Sequence, residues 1–292
     1  MDRKSLWRRI ADFPLVAMLI GIVVVVVGLT IAGAVAKALG PSLGTSISEA
    51  TKFYLVAMPI LILLYILIIP RLGEHPRNDF RDAKAVQRLA LGLGAGVALF
   101  SAVVAVAAAL GVYRIVGTGD TSRLFAALVG SALFPAVSEE MLFRGVLFRW
   151  LEEFGGSWAA LLLTSAFFGA AHLMNPNASP IAAVGIAFEA GVMLGAAYML
   201  TRSLWLPMGI HAAWNFTQGE VYDIPVSGMP VHGVVDARLC CNPLLTGGGF
   251  GLEASLIAMV IATAFGLWLL WLAIRKGELI QPWWVRRRTG PA

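Results

Sequence analysis

Long apolar stretches dominate the chain, and short polar segments separate them. A helix needs about 20 mostly apolar residues to cross a lipid bilayer. The pattern predicts about eight such helices, at residues 14–36, 53–70, 89–112, 124–150, 157–174, 180–200, 203–217 and 252–274. The seventh is short and polar for a membrane span, so we expect it to be buried among the others. The predicted fold class is all-α, in a polytopic membrane protein.

The composition agrees with this interpretation. Hydrophobic residues make up 59% of the 292 residues and charged residues only 13%, whereas soluble domains carry about 25% charged residues. The net charge of +5 does not suggest a nucleic-acid partner, because the basic residues lie in short segments between apolar stretches. Cys240 and Cys241 are adjacent and indicate neither a disulfide framework nor a Cys-based metal site. We expect one membrane domain over residues 1–292 and the lipid bilayer as its surroundings.

The distribution of Lys and Arg predicts the orientation in the membrane. With eight spans, both termini lie on the same side. That side carries sixteen Lys and Arg residues: Arg3, Lys4, Arg8, Arg9, Arg71, Arg77, Arg81, Lys84, Arg88, Arg149, Arg202, Arg275, Lys276, Arg286, Arg287 and Arg288. The other side carries five: Lys37, Lys52, Arg114, Arg123 and Arg238. Cytoplasmic loops are enriched in Lys and Arg, so we expect both termini in the cytoplasm.

The first apolar stretch follows a basic segment, as in a secretory signal peptide. It is longer than the 7–15 residues typical of the apolar region of such a signal. We therefore expect it to be retained as the first membrane span.

Three charged residues interrupt the fourth span, in the segment SEEMLFRGVLF at residues 138–148. A charge at the bilayer centre costs about 3 kcal/mol on insertion scales. Glu140 and Arg144 are four residues apart, so they share a helix face and can pair. Glu139 is rotated about 100° away and has no partner within its span. We expect it to face a cavity or another helix.

The neighbouring spans contain further polar residues at helical spacing. Phe168 and His172 are four apart in FFGAAHL, and His211 and Asn215 are four apart in HAAWNF. Ionisable groups within membrane spans face the interior of the helix bundle and often carry function. Glu189 in the sixth span either lines the same cavity or pairs with Arg202.

These residue types suit hydrolysis. A glutamate in an apolar pocket can act as a general base on water, and a histidine and an amide can donate hydrogen bonds to an oxyanion. A second arrangement places zinc on Glu139, His172 and His211, with an open position for water. The chain contains no H-E-x-x-H helix and no G-x-S-x-G elbow, so neither an ordinary zincin nor a serine hydrolase is indicated.

Three motifs in order resemble the CPBP family of intramembrane proteases, the group of type II CAAX prenyl endopeptidases and bacteriocin-processing proteins, also called the ABI family. The motifs are E-E-x-x-x-R at Glu139 to Arg144, F-x-x-x-H at Phe168 to His172, and H-x-x-x-N at His211 to Asn215. Two further segments, GVMLGAAYMLTRSLWLPMGIHAAWN and LLTGGGFGLEAS, are similar to those of bacterial members. We assign residues 124–265 to a family-like catalytic core and residues 1–123 to three accessory spans.

The resemblance implies eight helices that enclose an intramembrane active-site cavity, and hydrolysis of peptide bonds in peptides or membrane proteins. It implies that Glu139 and His172 activate water and that His211 and Asn215 stabilise the oxyanion. Glu140, Arg144 and Phe168 would support them. Members are often described as metalloproteases. We favour a glutamate mechanism that requires no cofactor, because asparagine is an uncommon zinc ligand; zinc is the alternative.

Two other functions would use the same residues differently. In a non-catalytic scaffold or bacteriocin-immunity protein they would only lock the helices together. In a transporter, Glu139 and the histidines would relay protons, but the inverted repeats and paired broken helices of transporters are not evident in the sequence. We expect a protease in a bacterial inner (plasma) membrane.

Overall fold

A computed structural model describes residues 5–44 and 46–289, and most of this part of the chain is helical. The α-helices are Leu6–Ala11 (α1), Pro14–Leu39 (α2), Glu49–Ile68 (α3), Ala85–Ala109 (α4), Leu124–Ala127 (α5), Phe134–Glu140 (α6), Arg149–Ala171 (α7), Pro180–Ile186 (α8), Val192–Thr201 (α9), Trp205–Phe216 (α10), Pro243–Thr246 (α11), Leu256–Arg275 (α12) and Trp283–Thr289 (α13). π-Helical segments join or extend several of them at Leu128–Leu133, Met141–Phe148, Ala187–Gly191 and Thr217–Val221. Short 3₁₀ turns occur at Gly40–Leu43, Ile69–Arg71, His172–Met174, Gly248–Phe250 and Leu252–Ala254.

The structure confirms a polytopic all-α membrane protein, but it does not confirm a count of eight spans. Within the described residues, six helical runs are long and apolar enough to cross a membrane: Pro14–Leu43, Glu49–Arg71, Ala85–Ala109, Leu124–Met174, Pro180–Thr201 and Leu256–Arg275. The predicted seventh span, 203–217, corresponds to the 12-residue helix α10 and the five-residue π-helical segment that continues it, a run shorter than the about 20 residues of a typical span.

The run Leu124–Met174 contains both the fourth and the fifth predicted spans, because the chain reverses within it. Gly156 has φ 82° and ψ 169°, which breaks the helix, and this left-handed region of φ favours glycine. In a straight helix, Phe143 and Phe168 would lie about 37 Å apart. Their ring centroids are instead 4.9 Å apart. The two halves therefore pack side by side as a hairpin.

The short helix α10 is held against α4 by close contact between backbones. A Cβ atom on Gly96 would lie 2.5 Å from the carbonyl oxygen of Ile210, and one on Gly209 would lie 2.7 Å from that of Leu89. Small residues permit this approach of two helices in a membrane protein. The contact fixes the depth and rotation of α10, which carries His211 and Asn215.

We call the end of the helix bundle that comprises residues 5–13, 69–88, 149–157, 201–204 and 275–289 the arginine-rich face. A buried aspartate in the connection between α3 and α4 joins several of its elements. Asp79 Oδ2 accepts hydrogen bonds from Tyr65 Oη at 2.6 Å and from Arg149 Nη1 at 3.3 Å. Asp79 Oδ1 accepts from Arg77 Nε at 2.7 Å and from Tyr198 Oη at 3.2 Å. Asp79 therefore joins residues from α3, α7, α9 and its own loop at a single carboxylate.

The first and last described helices lie at the same face. The Phe13 ring, just before α2, contacts the Phe154 ring at 6.0 Å and the Trp283 ring at 6.3 Å. Arg8 Nη1 donates to the Arg71 carbonyl at 2.8 Å. Of the sixteen basic residues assigned to this side, Arg3 and Lys4 lie outside the described residues.

The opposite end of the bundle carries most of the irregular structure, and we call it the cleft face. It comprises residues 40–44, 46–48, 110–123, 174–179 and 222–255. An antiparallel pair of strands, β1 (Tyr113–Thr118) and β2 (Val235–Leu239), links two of these segments, with a bulge between Ile115 and Gly117. The strands are a small addition to the all-α fold and were not predicted.

We expect Gly96→Val to destabilise the protein, because its side chain would collide with the backbone of α10. Overpacking of this kind costs about 1–3 kcal/mol. Gly94→Val is the matched control, since no neighbouring atom lies within 4 Å of a Cβ at that position on the same helix. The readout is the thermal unfolding midpoint in detergent. Equal midpoints for the two variants would contradict the tight α4–α10 contact.

Candidate active site

A buried chain of polar contacts joins the E-E-x-x-x-R motif to α10. Glu140 Oε1 accepts hydrogen bonds from Arg144 Nη1 at 2.8 Å and from His211 Nδ1 at 2.9 Å. Arg144 Nη2 also donates to the Ala190 carbonyl at 3.2 Å. Glu140 and Arg144 are 0% and 1% exposed, so they pair as the four-residue spacing predicts. Glu140 also orients the His211 ring.

Phe168 lies between the charged pair and the two histidines. The Arg144 guanidinium lies over the Phe168 ring at 4.7 Å from its centroid. The same ring is 4.8 Å from the ring of His172 and 6.2 Å from that of His211. A cation over an aromatic face is attracted by the ring quadrupole. Phe168 therefore packs the F-x-x-x-H helix onto the other two motifs.

Glu139 differs from its neighbour Glu140 in its surroundings. Its side chain is 34% exposed, and its Oε2 lies 4.0 Å from His211 Nε2. Among the described residues, Glu139 Oε2 is buried without a hydrogen-bond partner. A buried carboxylate oxygen without a partner is costly in a purely structural role, and here it can accept a proton from water.

The contacts of His172 and Asn215 restrict what each can do. His172 Nδ1 lies 2.7 Å from the Phe168 carbonyl. A carbonyl only accepts, so Nδ1 carries the proton and Nε2 of the neutral ring has a free lone pair. Asn215 Nδ2 donates to the Ser131 carbonyl at 2.9 Å. An amide has two N–H groups, so one remains for another acceptor.

The structure brings the four predicted site residues to one cleft, although they come from three helical segments. Glu139, His172, His211 and Asn215 all line a cleft with a volume of about 430 Å³, within the range of ligand pockets. The remaining lining residues are Tyr54, Arg123, Ala126, Ala127, Gly130, Ser131, Pro135, Asn175, Glu220, Val226, Ser227, Met229, Pro230, Val231 and His232.

The candidate zinc ligands are not gathered into a metal site. In the part of the chain that the structure describes, no three His, Cys, Asp or Glu side chains are grouped to hold a metal ion. Zinc sites normally use three or four such ligands at about 2 Å from the metal. The histidines have suitable chemistry, but the arrangement of the donor groups among the described residues does not fit a three-ligand site.

Several cleft residues were missed by sequence reasoning, and Glu220 is the most notable. It lies in the π-helical segment after α10, beyond the helices long enough to span a membrane. Burial raises the pKa of its carboxyl to about 7, and the negative charge of Asp223 adds to the shift. In the sequence, only its position five residues after Asn215 connects Glu220 with the site. In an α-helix that spacing would place Glu220 on a different face from Asn215.

A smaller chamber of about 30 Å³ lies behind the histidines. It shares His172, His211 and Asn215 with the cleft and is also lined by Glu189 and Glu253. Glu189 is 1% exposed, and its Oε2 has no hydrogen-bond partner among the described residues. Polar cavities of this size hold one or two water molecules.

Of the two alternatives predicted for Glu189, the structure shows that it lines a cavity and does not form an ion pair with Arg202. Arg202 instead pairs with Glu152 and with Glu278, the latter at 3.1 Å. Both partners lie at the arginine-rich face, which the sixth span reaches only at its far end.

Residues 121–217 match the family model described as Rce1-like, type II CAAX prenyl endopeptidase Rce1-like. The matched segment includes all three motifs and confirms the resemblance that they predict. No curated protein and no solved structure matches the chain.

We expect Arg144→Met to destabilise the fold strongly, because it leaves Glu140 buried without its guanidinium partner. Breaking a buried pair costs about 3–5 kcal/mol. The double variant Glu140→Gln with Arg144→Met should recover much of this loss, since a neutral amide oxygen still accepts from His211. Lys276→Met removes a half-exposed ion pair and should change little. A thermal midpoint of Arg144→Met equal to that of the wild type would refute the structural role of the pair.

Proposed function

We propose that this protein is an intramembrane endopeptidase that uses Glu139 to activate water, a function supported by the match of residues 121–217 to the Rce1-like type II CAAX prenyl endopeptidase family model. One observation carries the proposal. Glu139 has a carboxylate oxygen without a partner, beside His211 and in the same cleft as His172. The adjacent Glu140 is instead fully buried, is absent from the lining of the cleft, and is held through Oε1 by Arg144 and His211.

In the first step, Glu139 takes a proton from water as the water oxygen attacks the peptide carbonyl carbon. His172 Nε2 has a free lone pair and accepts the second hydrogen of the same water, which holds it in place. Such positioned general bases contribute about 100- to 10,000-fold to a rate.

The attack places a negative charge on the former carbonyl oxygen. Asn215 donates its remaining N–H to this oxyanion. His211 donates through Nε2 in its imidazolium form. With His211 protonated, the charges of Glu139, Glu140, Arg144 and His211 sum to zero, which favours that form in a medium of low dielectric constant. Preorganised donors of this kind usually supply the largest single contribution to catalysis.

The C–N bond then breaks, and the protonated Glu139 gives its proton to the leaving nitrogen. The products are a carboxylic acid and an amine, and Glu139 returns to its starting state. No external oxidant, reductant or co-substrate other than water is needed.

We also propose the extent and place of this activity. Residues 124–265 form the catalytic core in a bacterial inner (plasma) membrane, and both termini lie in the cytoplasm. The spans before residue 124 contribute to the site, since Tyr54 lines the cleft and α4 supports α10. Peptides or membrane proteins are the proposed substrates.

We expect Glu139→Gln to abolish cleavage while the protein still folds, because the amide keeps the shape of the side chain but cannot take a proton from water. The measurement compares protein termini in membranes from cells that express each variant at matched folded levels. Glu74→Gln, at the arginine-rich face and 3.6 Å from Arg287, is the control and should cleave like the wild type. Equal sets of termini for wild type and Glu139→Gln would favour a scaffold or immunity role.

Removal of metal ions separates the glutamate mechanism from its zinc-dependent alternative. We expect cleavage to persist after extended dialysis against a chelator, with less than one zinc ion per chain by elemental analysis. Loss of activity on chelation, with recovery on addition of zinc alone, would refute the metal-free glutamate mechanism and favour the zinc-dependent alternative.

A further inference from the structure

We infer that the cleft opens to the extracytoplasmic side of the membrane, and that its substrates are polypeptide segments presented from that side. The statement about substrates rests on the proposed protease function, whereas the statement about the opening does not. Three observations carry it: the residues at the mouth of the cleft, the closure of the opposite end, and the distribution of charge.

The mouth of the cleft is formed by the cleft face. Arg123 and Asn175 come from two connections at that face, and Met229 to His232 come from the long segment after α10. Met229 is 53% exposed, so this wall of the cleft meets the solvent. A peptide would therefore enter past these residues before it reaches Glu139.

The opposite end of the bundle is sealed. Between the motif residues and the arginine-rich face lies the network around Asp79, whose members Tyr65, Arg149 and Tyr198 are 1%, 2% and 0% exposed. Tyr65 Oη also lies 3.2 Å from the Gly145 carbonyl, directly after Arg144. A path from the arginine-rich face would have to break these buried hydrogen bonds.

The distribution of charge identifies the sides. Among the described residues, fourteen Lys and Arg residues belong to the arginine-rich face and five to the cleft face. The helices that join the two faces, such as the 26-residue α2 and the 25-residue α4, span about 38 Å, enough to cross a bilayer. The connections are short enough for the positive-inside rule to apply. The arginine-rich face is therefore cytoplasmic, and the cleft opens away from it.

This orientation restricts the substrates. A segment on the cytoplasmic side would face the sealed end and could not reach Glu139. The accessible peptide bonds are those of exported proteins, or of membrane proteins near the outer leaflet. The C-terminal tail of a cytoplasmic protein, even one with a lipid anchor, would not reach the cleft.

The native cysteines provide a direct test. Cys240 and Cys241 are the only two cysteines of the chain, and both are free, exposed and at the cleft face. Intact cells, or spheroplasts where an outer membrane is present, are treated with a membrane-impermeant maleimide. We expect wild-type protein to be labelled to the same extent before and after permeabilisation. Cys240→Ser with Cys241→Ser should abolish the label.

In that cysteine-free background, single cysteines report on each face. Met229→Cys, at the mouth of the cleft, should react in intact cells. Glu74→Cys, at the arginine-rich face, should react only after permeabilisation. The opposite pattern, with Cys240 and Cys241 protected until the cells are opened and Glu74→Cys reactive without permeabilisation, would overturn the inference.

The labelling does not depend on catalysis, so the two proposals can fail separately. The reversed pattern would leave the role of Glu139 untouched. Extracytoplasmic labelling with no Glu139-dependent cleavage would instead refute the protease and keep the orientation. If both proposals hold, the new protein termini that depend on Glu139 should lie in exported segments. Such termini in cytoplasmic segments would contradict the proposed substrate class.

Discussion

The buried carboxylate of Glu140 is the interaction on which the site depends. An unpaired carboxylate in an apolar helix bundle is costly, so Glu140 must have partners, and it has Arg144 and His211. Arg144 donates to Glu140 from the same helical segment, whereas His211 donates to it from another helix. The requirement for a second partner therefore connects α10 to the helix of the first motif. The same contact fixes the ring of His211 at the floor of the cleft.

The rest of the molecule holds these few groups in place. Close backbone contact at Gly96 and Gly209 sets the depth of α10. Phe168 packs the helix of His172 against Arg144. The Asp79 network closes the bundle at the other end. A short helix such as α10 could not be stable in a bilayer alone, because its polar residues need protein neighbours rather than lipid. Its burial among longer helices provides those neighbours.

The contrast between Glu139 and Glu140 shows how adjacent identical residues acquire different roles. A rotation of about 100° along the helix turns one carboxylate toward Arg144 and the other toward the cleft. Glu140 is 0% exposed, and its Oε1 accepts hydrogen bonds from Arg144 and His211, so it supplies fixed geometry. Glu139 is 34% exposed and lines the cleft, where its Oε2 has no hydrogen-bond partner among the described residues, which suits a reactive group. Stability and reactivity are thus divided between two neighbouring positions, which limits the conflict between them.

The sequence by itself determined the all-α membrane class, the Glu140–Arg144 pair and the three motifs, because apolar length and four-residue spacing are local properties of a helix. It also placed the chain reversal between the fourth and fifth spans, where Gly156 breaks the helix. It did not determine the number of spans, since the short α10 depends on packing between helices for its burial. Only the tertiary structure brought Glu220, Ser227 and Glu253 to the cleft and the chamber beside it. These residues lie in a π-helical segment, a loop and a 3₁₀ turn, which have no regular spacing from the three motifs. The tertiary structure also decided where the cleft opens, which depends on how the connections at each end fold together.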